Sequence, residues 1–139
     1  MLHAMLDSDT CIRVLRDRSK AIGDRFKAEV DHLSISTVVL HELRHGAIKS
    51  DRPQLHLQKL ENFCSHLTVC NFDEAAAIHA ADIKLVLGRQ GNLIGPNDLL
   101  IAGHARSLGL KLITGNLGEF TRVDGLRCED WLAETKDNT

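Results

Sequence analysis

Apolar positions along the chain fall into two alternating patterns. Short apolar runs read as strands: one ends at Leu6, and others cover Leu33 to Ser36, Leu67 to Cys70, Leu110 to Thr114 and Leu126 to Cys128. The stretches between them carry helical spacing. Thr10 to Leu15 opens the series, and Ser19 to Val30 places Ile22, Phe26 and Val30 at intervals of four. Ser36 is a good N-cap for a helix running to about Ile48, with Val39, Leu40, Leu43 and Ala47 as its buried stripe. Pro53 opens another helix, with Leu57, Leu60 and Cys64 on one side. Asp73 caps a long Ala-rich helix that ends between Gly88 and Gly91. Gly95-Pro96-Asn97 begins a last helix through Leu108, stopped by Gly109. Strands separated by helices predict an α/β fold with a central, mainly parallel sheet flanked by helices. No repeat or linker interrupts the pattern, so residues 1–139 are expected to form one domain, with 134–139 as a flexible tail.

Composition narrows the function classes. A chain of 139 residues suffices for one sizeable core and is short for two. No apolar run approaches the roughly 20 residues of a membrane span, and no secretory signal is visible, so no membrane contact and a cytoplasmic location are expected. The four cysteines form no C-x-x-C and lie in or beside apolar segments, which predicts reduced, packed thiols. A net charge of −2 gives no general attraction for nucleic acid. RNA or DNA contact would need local cations: Arg13 and Arg16 follow the first strand, while Arg89, Arg106 and Arg122 are scattered later. Each also reads as part of a solvated helix face.

The candidate chemistry is acidic. Asp7 closes the first strand, and ligands of open α/β sheets bind at the carboxyl ends of strands. Taken alone, Asp7, Ser8 or Asp9 would equally serve to cap the next helix. At about 100° per residue, Glu42 falls on the shoulder of its helix's buried stripe, beside Gly46 one turn later. Asp98 stands above Ala102 and Ala105, at the edge of an apolar side made by Ile101 and Leu108. A first-turn acid there also complements the helix dipole. Asn116 and Glu119 follow the strand ending at Thr114, where a plain polar loop is the competing reading.

His41-Glu42-Leu43-Arg44-His45 matches H-E-x-x-H, the zinc-protease helix. On the helical wheel His41 and His45 lie about 140° and 180° from the apolar stripe, facing solvent. Ile48 and Asp51 occupy the glycine and third-histidine positions of the extended pattern. The match reads as accidental. A zinc metalloprotease acting through His41, Glu42 and His45 remains one alternative, and a catalytically dead binding domain is another.

Four stretches, in order, resemble PIN domains: Met5-Leu6-Asp7-Ser8-Asp9, Ser36 to Gly46 around Glu42, Gly95 to Ala102 around Asp98, and Thr114-Gly115-Asn116-Leu117-Gly118-Glu119-Phe120. The similarity extends through Gly125 to Leu132 and is greatest to the VapC ribonuclease toxins of bacterial type II toxin–antitoxin pairs. It implies a PIN-like fold and an endoribonuclease dependent on Mg²⁺ or Mn²⁺ that leaves 5′-phosphate and 3′-hydroxyl ends. Asp7, Glu42, Asp98 and Glu119 would be the catalytic acids, with Asp7 and Asp98 as principal metal ligands. Asp9 and Asn116 would stand just behind them. Asp9 replaces a usual asparagine, and Asn116 stands where many relatives have an aspartate. The resemblance also implies a VapB-like antitoxin, a homodimer, and DNA binding only through the antitoxin. Close relatives favour tRNA, including initiator tRNA cut in the anticodon region.

Overall fold

The first strand, β1 (Ala4–Leu6), is buried along its whole length. Its neighbours are β2 (Leu33–Ser36) and β4 (Lys111–Ile113), while β3 (Thr68–Cys70) and β5 (Cys128–Glu129) form the edges. A computed structural model supplies these elements and describes residues 1–16 and 20–131. The sheet order is β3-β2-β1-β4-β5, and every pairing among the described residues is parallel. Ala4 aligns with Leu33 on one side and Lys111 on the other. A parallel sheet covered on both faces needs apolar side chains on both. Met5, Leu6, Ile35, Leu112 and Ile113 meet that demand and form the centre of the core.

Helices follow the strands: α1 (Ser8–Arg16), α2 (Lys20–Glu29), α3 (Thr37–Ile48), α4 (Pro53–Ser65), α5 (Glu74–Arg89), α6 (Pro96–Leu108) and α7 (Leu117–Phe120). Their ends follow local chemistry. Ser36 Oγ accepts the Val38 N–H at 3.0 Å, and Asp73 Oδ1 accepts the Ala76 N–H at 3.0 Å. Gly109 stops α6 with φ 67°, a conformation open to glycine without a Cβ clash. Between α5 and α6 the backbones nearly touch: a Cβ on Gly103 would lie 2.5 Å from the Ala80 nitrogen.

Four expectations change. The last strand is Cys128–Glu129 rather than Leu126 to Cys128, because Leu126 still belongs to the turn containing Gly125 at φ 80°. Its N–H bonds back to the Val123 carbonyl. The stretch after β4, for which a polar loop is the competing reading, contains α7. Leu108 is 45% exposed and lies off the buried side of α6, which is instead formed by Leu99, Ile101, Ala102 and Ala105. A three-residue helical turn, Val30–His32, follows α2, which itself ends at Glu29. Ser19 and the tail 134–139 lie outside the described residues.

The strand order creates the site. The chain steps outward from β1 through β2 to β3, then returns by α5 and α6 to β4 on β1's other side. Neighbouring connections therefore diverge between β1 and β4, and their carboxyl ends border the crevice where such sheets bind ligands.

Candidate active site

Asp7 leaves the end of β1 and is only 5% exposed. Its Oδ1 accepts the Thr10 N–H at 3.0 Å, so it does cap α1. Its Oδ2 accepts a hydrogen bond from the hydroxyl of Thr114, the buried residue that follows β4. Capping and placement at the crevice thus coincide in one carboxylate. Each oxygen has more than one lone pair, so these bonds do not exhaust Asp7 as an acceptor. Burial raises its pKa above the ordinary aspartate range, against the lowering effect of the Thr114 and Thr10 hydrogen bonds.

Glu42 reaches the same crevice from α3. Its Oε2 accepts the Ser8 hydroxyl at 3.3 Å, while its Oε1 is buried with no hydrogen-bond partner. Burial raises its pKa, the Ser8 bond opposes this, and the charge of Asp7 adds to the rise. Val39, Leu43 and Ala47 form the buried stripe of α3, so Glu42 sits at its edge as the helical wheel predicts.

Asp98, in the first turn of α6, has its pKa pushed up to about 7. Burial is the largest cause, followed by a hydrogen bond to Glu119 and the charges of Glu119, Asp7 and Glu42. Carboxylates that share a cleft cannot all ionise freely, and one must hold its proton longer. Glu119 comes from α7, and its Oε2 is a second buried oxygen with no partner. Asp98 therefore feels Glu119, Asp7 and Glu42, although the four lie far apart in the chain.

Asp9 and Asn116 are placed differently. Asp9 is exposed and pairs with Arg13 at 3.5 Å, though its charge still contributes to the raised pKa of Asp7. Asn116 is exposed and shapes the turn through its backbone. Its N–H donates to Thr114 Oγ1 at 3.0 Å, and its carbonyl accepts the Glu119 N–H at 3.2 Å. Glu119, rather than Asn116, carries its carboxyl to Asp98. His41 and His45 are exposed, as the wheel predicts. Thr114 and Ser8, which hold Asp7 and Glu42, were not singled out from the sequence. Thr114 had a usable signal, as the polar residue that closes the most strand-like run of the second half.

Among the described residues, no three His, Cys, Asp or Glu side chains are grouped closely enough to hold a metal ion as they stand. The donor chemistry nevertheless fits one. The cluster offers only oxygen ligands, and two of its buried carboxylate oxygens have no donor to satisfy them. A hard divalent cation is the partner such oxygens suit.

Comparison with known proteins identifies the family. Residues 4–126 match the PIN domain family. Over 131 residues the chain is 45% identical to the tRNA(fMet)-specific endonuclease VapC of Shigella flexneri, covering 94% of this chain and 99% of that one. The chain belongs to the VapC family of PIN domains. Another VapC relative, Ribonuclease VapC2 of Haemophilus influenzae, is 42% identical over 132 residues, 95% of this chain and all 100% of its own. Among solved VapC structures, the DNA-bound VapBC of Salmonella typhimurium superposes with a TM-score of 0.91 at 44% identity, covering 94% of this chain and 99% of that chain. VapBC2 of Rickettsia felis, bound to a DNA fragment from its promoter, gives 0.88 at 30% identity, with coverages of 94% and 99%. These VapC relatives bear out the motif resemblance and lend no support to the zinc-protease reading.

Proposed function

We propose that this chain is an endoribonuclease that hydrolyses phosphodiester bonds of RNA, with tRNA as the substrate class, using Mg²⁺ or Mn²⁺. The observation that carries the reading is the meeting of Asp7, Glu42, Asp98 and Glu119 at the crevice between β1 and β4. Its relation to a tRNA(fMet)-specific endonuclease supports the substrate class.

Asp7 and Asp98 would hold the cation, with Glu42 and Glu119 completing its surroundings. The cation supplies Lewis-acid stabilisation of charge at the scissile phosphate. The remaining work falls to the chain's own groups. Thr10 and Thr114 fix the orientation of Asp7 before substrate arrives. Ser8 occupies Glu42 Oε2 and leaves Oε1 to orient the attacking water or accept its proton. Asp98 must release its proton to act as a ligand, so affinity for the cation should rise with pH up to about 7, where the metal-free carboxyl ionises. No covalent nucleophile is needed.

The same reading includes a VapB-like antitoxin that blocks the crevice, a homodimer, contact with DNA only through the antitoxin, and a cytoplasmic location. The VapBC complexes among its structural relatives support the antitoxin. No helix among the described residues is long and apolar enough to cross a membrane. One sheet and one continuous core among the described residues support a single domain over residues 1–139. The test is cleavage of tRNA by purified protein: EDTA should abolish it, Mg²⁺ should restore it, and Asp7→Ala should lack it. Cleavage that persists in Asp7→Ala would overturn the site.

A further inference from the structure

A cleft of about 570 Å³ opens beside the acids, lined by residues of α1, α3 and α4. It shares Ser8 and Glu42 with the acid site. Its apolar walls include Ile12, Leu15, Leu43 and Leu60, and Arg16, His56 and Lys59 supply its basic groups. The volume lies within the ~300–1,000 Å³ range of pockets that enclose a small ligand.

Charge decides what such a cleft suits. A nuclease centred on four acids repels the polyanion it must hold, so cations beside the acids have to compensate. Most arginines near the surface are committed elsewhere. Arg13 pairs with Asp9, Arg106 bonds His79 and the Asp124 carbonyl, and Arg122 bonds the carbonyls of Asn92 and Leu93. Among the described residues, no carboxylate pairs with Arg16 or Lys59, and both line the cleft. Single-stranded RNA carries phosphates for those cations and bases that can be splayed out onto apolar walls. A polypeptide would need separate groups to answer the cations and Glu42. A nucleotide strand answers the cations with one phosphate while the next approaches the acids.

We propose that this cleft is the nucleotide subsite next to the scissile bond: Arg16 and Lys59 bind a flanking phosphate, and Ile12, Leu15, Leu43 and Leu60 receive its unstacked base. The inference rests on the ribonuclease reading and adds where the RNA lies. His56 stands in the same cleft as a further hydrogen-bonding group.

Gly46 provides the test. It lines the cleft, sits within α3, and a Cβ there would meet nothing within 4 Å. Gly46→Leu should therefore fill the cleft while favouring the helix, since leucine is the better helix former. Steady-state cleavage of the RNA that wild type cuts, in Mg²⁺, is compared for Gly46→Leu and for Arg16→Ala/Lys59→Ala, with thermal melting as a folding control. Gly46→Leu should raise KM about tenfold, as expected when a base loses its burial against apolar walls, with a much smaller fall in kcat. The double variant should flatten the plot of log KM against log salt by about 0.7 for each phosphate that is no longer neutralised. If wild type cleaves RNA and both variants keep its KM and salt slope, the subsite is overturned and the cleft is left to a polypeptide. If wild type cleaves no RNA, the ribonuclease reading falls and this inference falls with it.

Discussion

Replacing Asp98 by Asn removes one charge from the acid cluster at nearly constant shape and keeps a donor for Glu119. In the folded protein Asp98 ionises at about 7, against 3.8 for an unperturbed aspartate. That gap of about three pH units is worth about 4 kcal/mol at most. The carboxyl is only partly buried, so solvent screening brings the expected cost to about 2 kcal/mol. The sign follows from proton binding. Between about pH 4 and pH 7 the folded chain binds more protons here than the unfolded chain, so metal-free stability falls as pH rises through that window. Above it the cost is complete, and below it the cost vanishes. Asp98→Asn carries no such cost. In EDTA at pH 8 it should melt about 6 °C above wild type, at the few degrees per kcal/mol expected for a domain of this size. The difference should close by pH 4. Mg²⁺ should stabilise wild type more than the variant if, as proposed, it binds the folded form through the carboxylate that the variant lacks. The assay is thermal melting of both proteins from pH 4 to 8, with EDTA and with Mg²⁺. A variant that melts below wild type at pH 8 in EDTA, or a difference that ignores pH, would refute the strained-acid account of Asp98.

Replacing both His41 and His45 by Gln should leave RNA cleavage near wild type and change stability by no more than about 0.5 kcal/mol, since both are exposed. A large loss of activity together with bound zinc would revive the H-E-x-x-H reading. Gly103→Ala should destabilise the fold by about 1–3 kcal/mol in denaturant melts, because its Cβ would lie 2.5 Å from the Ala80 nitrogen and force α5 from α6. Unchanged stability would show that the helices can separate freely. Thr114→Val removes the hydroxyl that holds down the pKa of Asp7, so the pH profile of Mg²⁺ binding should move to higher pH, with about 1–2 kcal/mol lost in melts. An unmoved profile would mean that Asp7 does not depend on this bond.

What the sequence disclosed was whatever local chemistry decides. Ser36, Asp73, Pro53, Pro96 and Gly109 mark helix ends within a few residues of themselves, and the helices begin or end there. The position of Glu42 follows from counting around α3. Elements fixed by distant partners were harder to read. β5 has only two residues, and its position depends on pairing with β4 and on the turn at Gly125. α7 is a single turn with no strong apolar period, so the sequence alone does not show how Asn116 and Glu119 are turned relative to the acids. One helical turn separates them, and that turn directs Glu119 toward Asp98 while Asn116 stays exposed. The cleft beside Glu42 was hidden for a similar reason. Arg16, Gly46 and Lys59 come from three helices, and only tertiary packing makes them neighbours.

The central place of β1 also governs when a working site can exist during synthesis. Asp7 is synthesised well before the threonine that holds it, which lies 107 residues further on. A nascent chain that has reached only Gly109 already carries Asp7, Glu42 and Asp98, but β1 still lacks its β4 neighbour. Ribosome-arrested chains ending at Gly109 should therefore be digested readily by protease, and protection of their first strand would contradict this order of events. Assembly of the acids is postponed until β4 and Thr114 have been made and have left the ribosome. A nascent chain would then hold its acids apart through most of the synthesis of this domain.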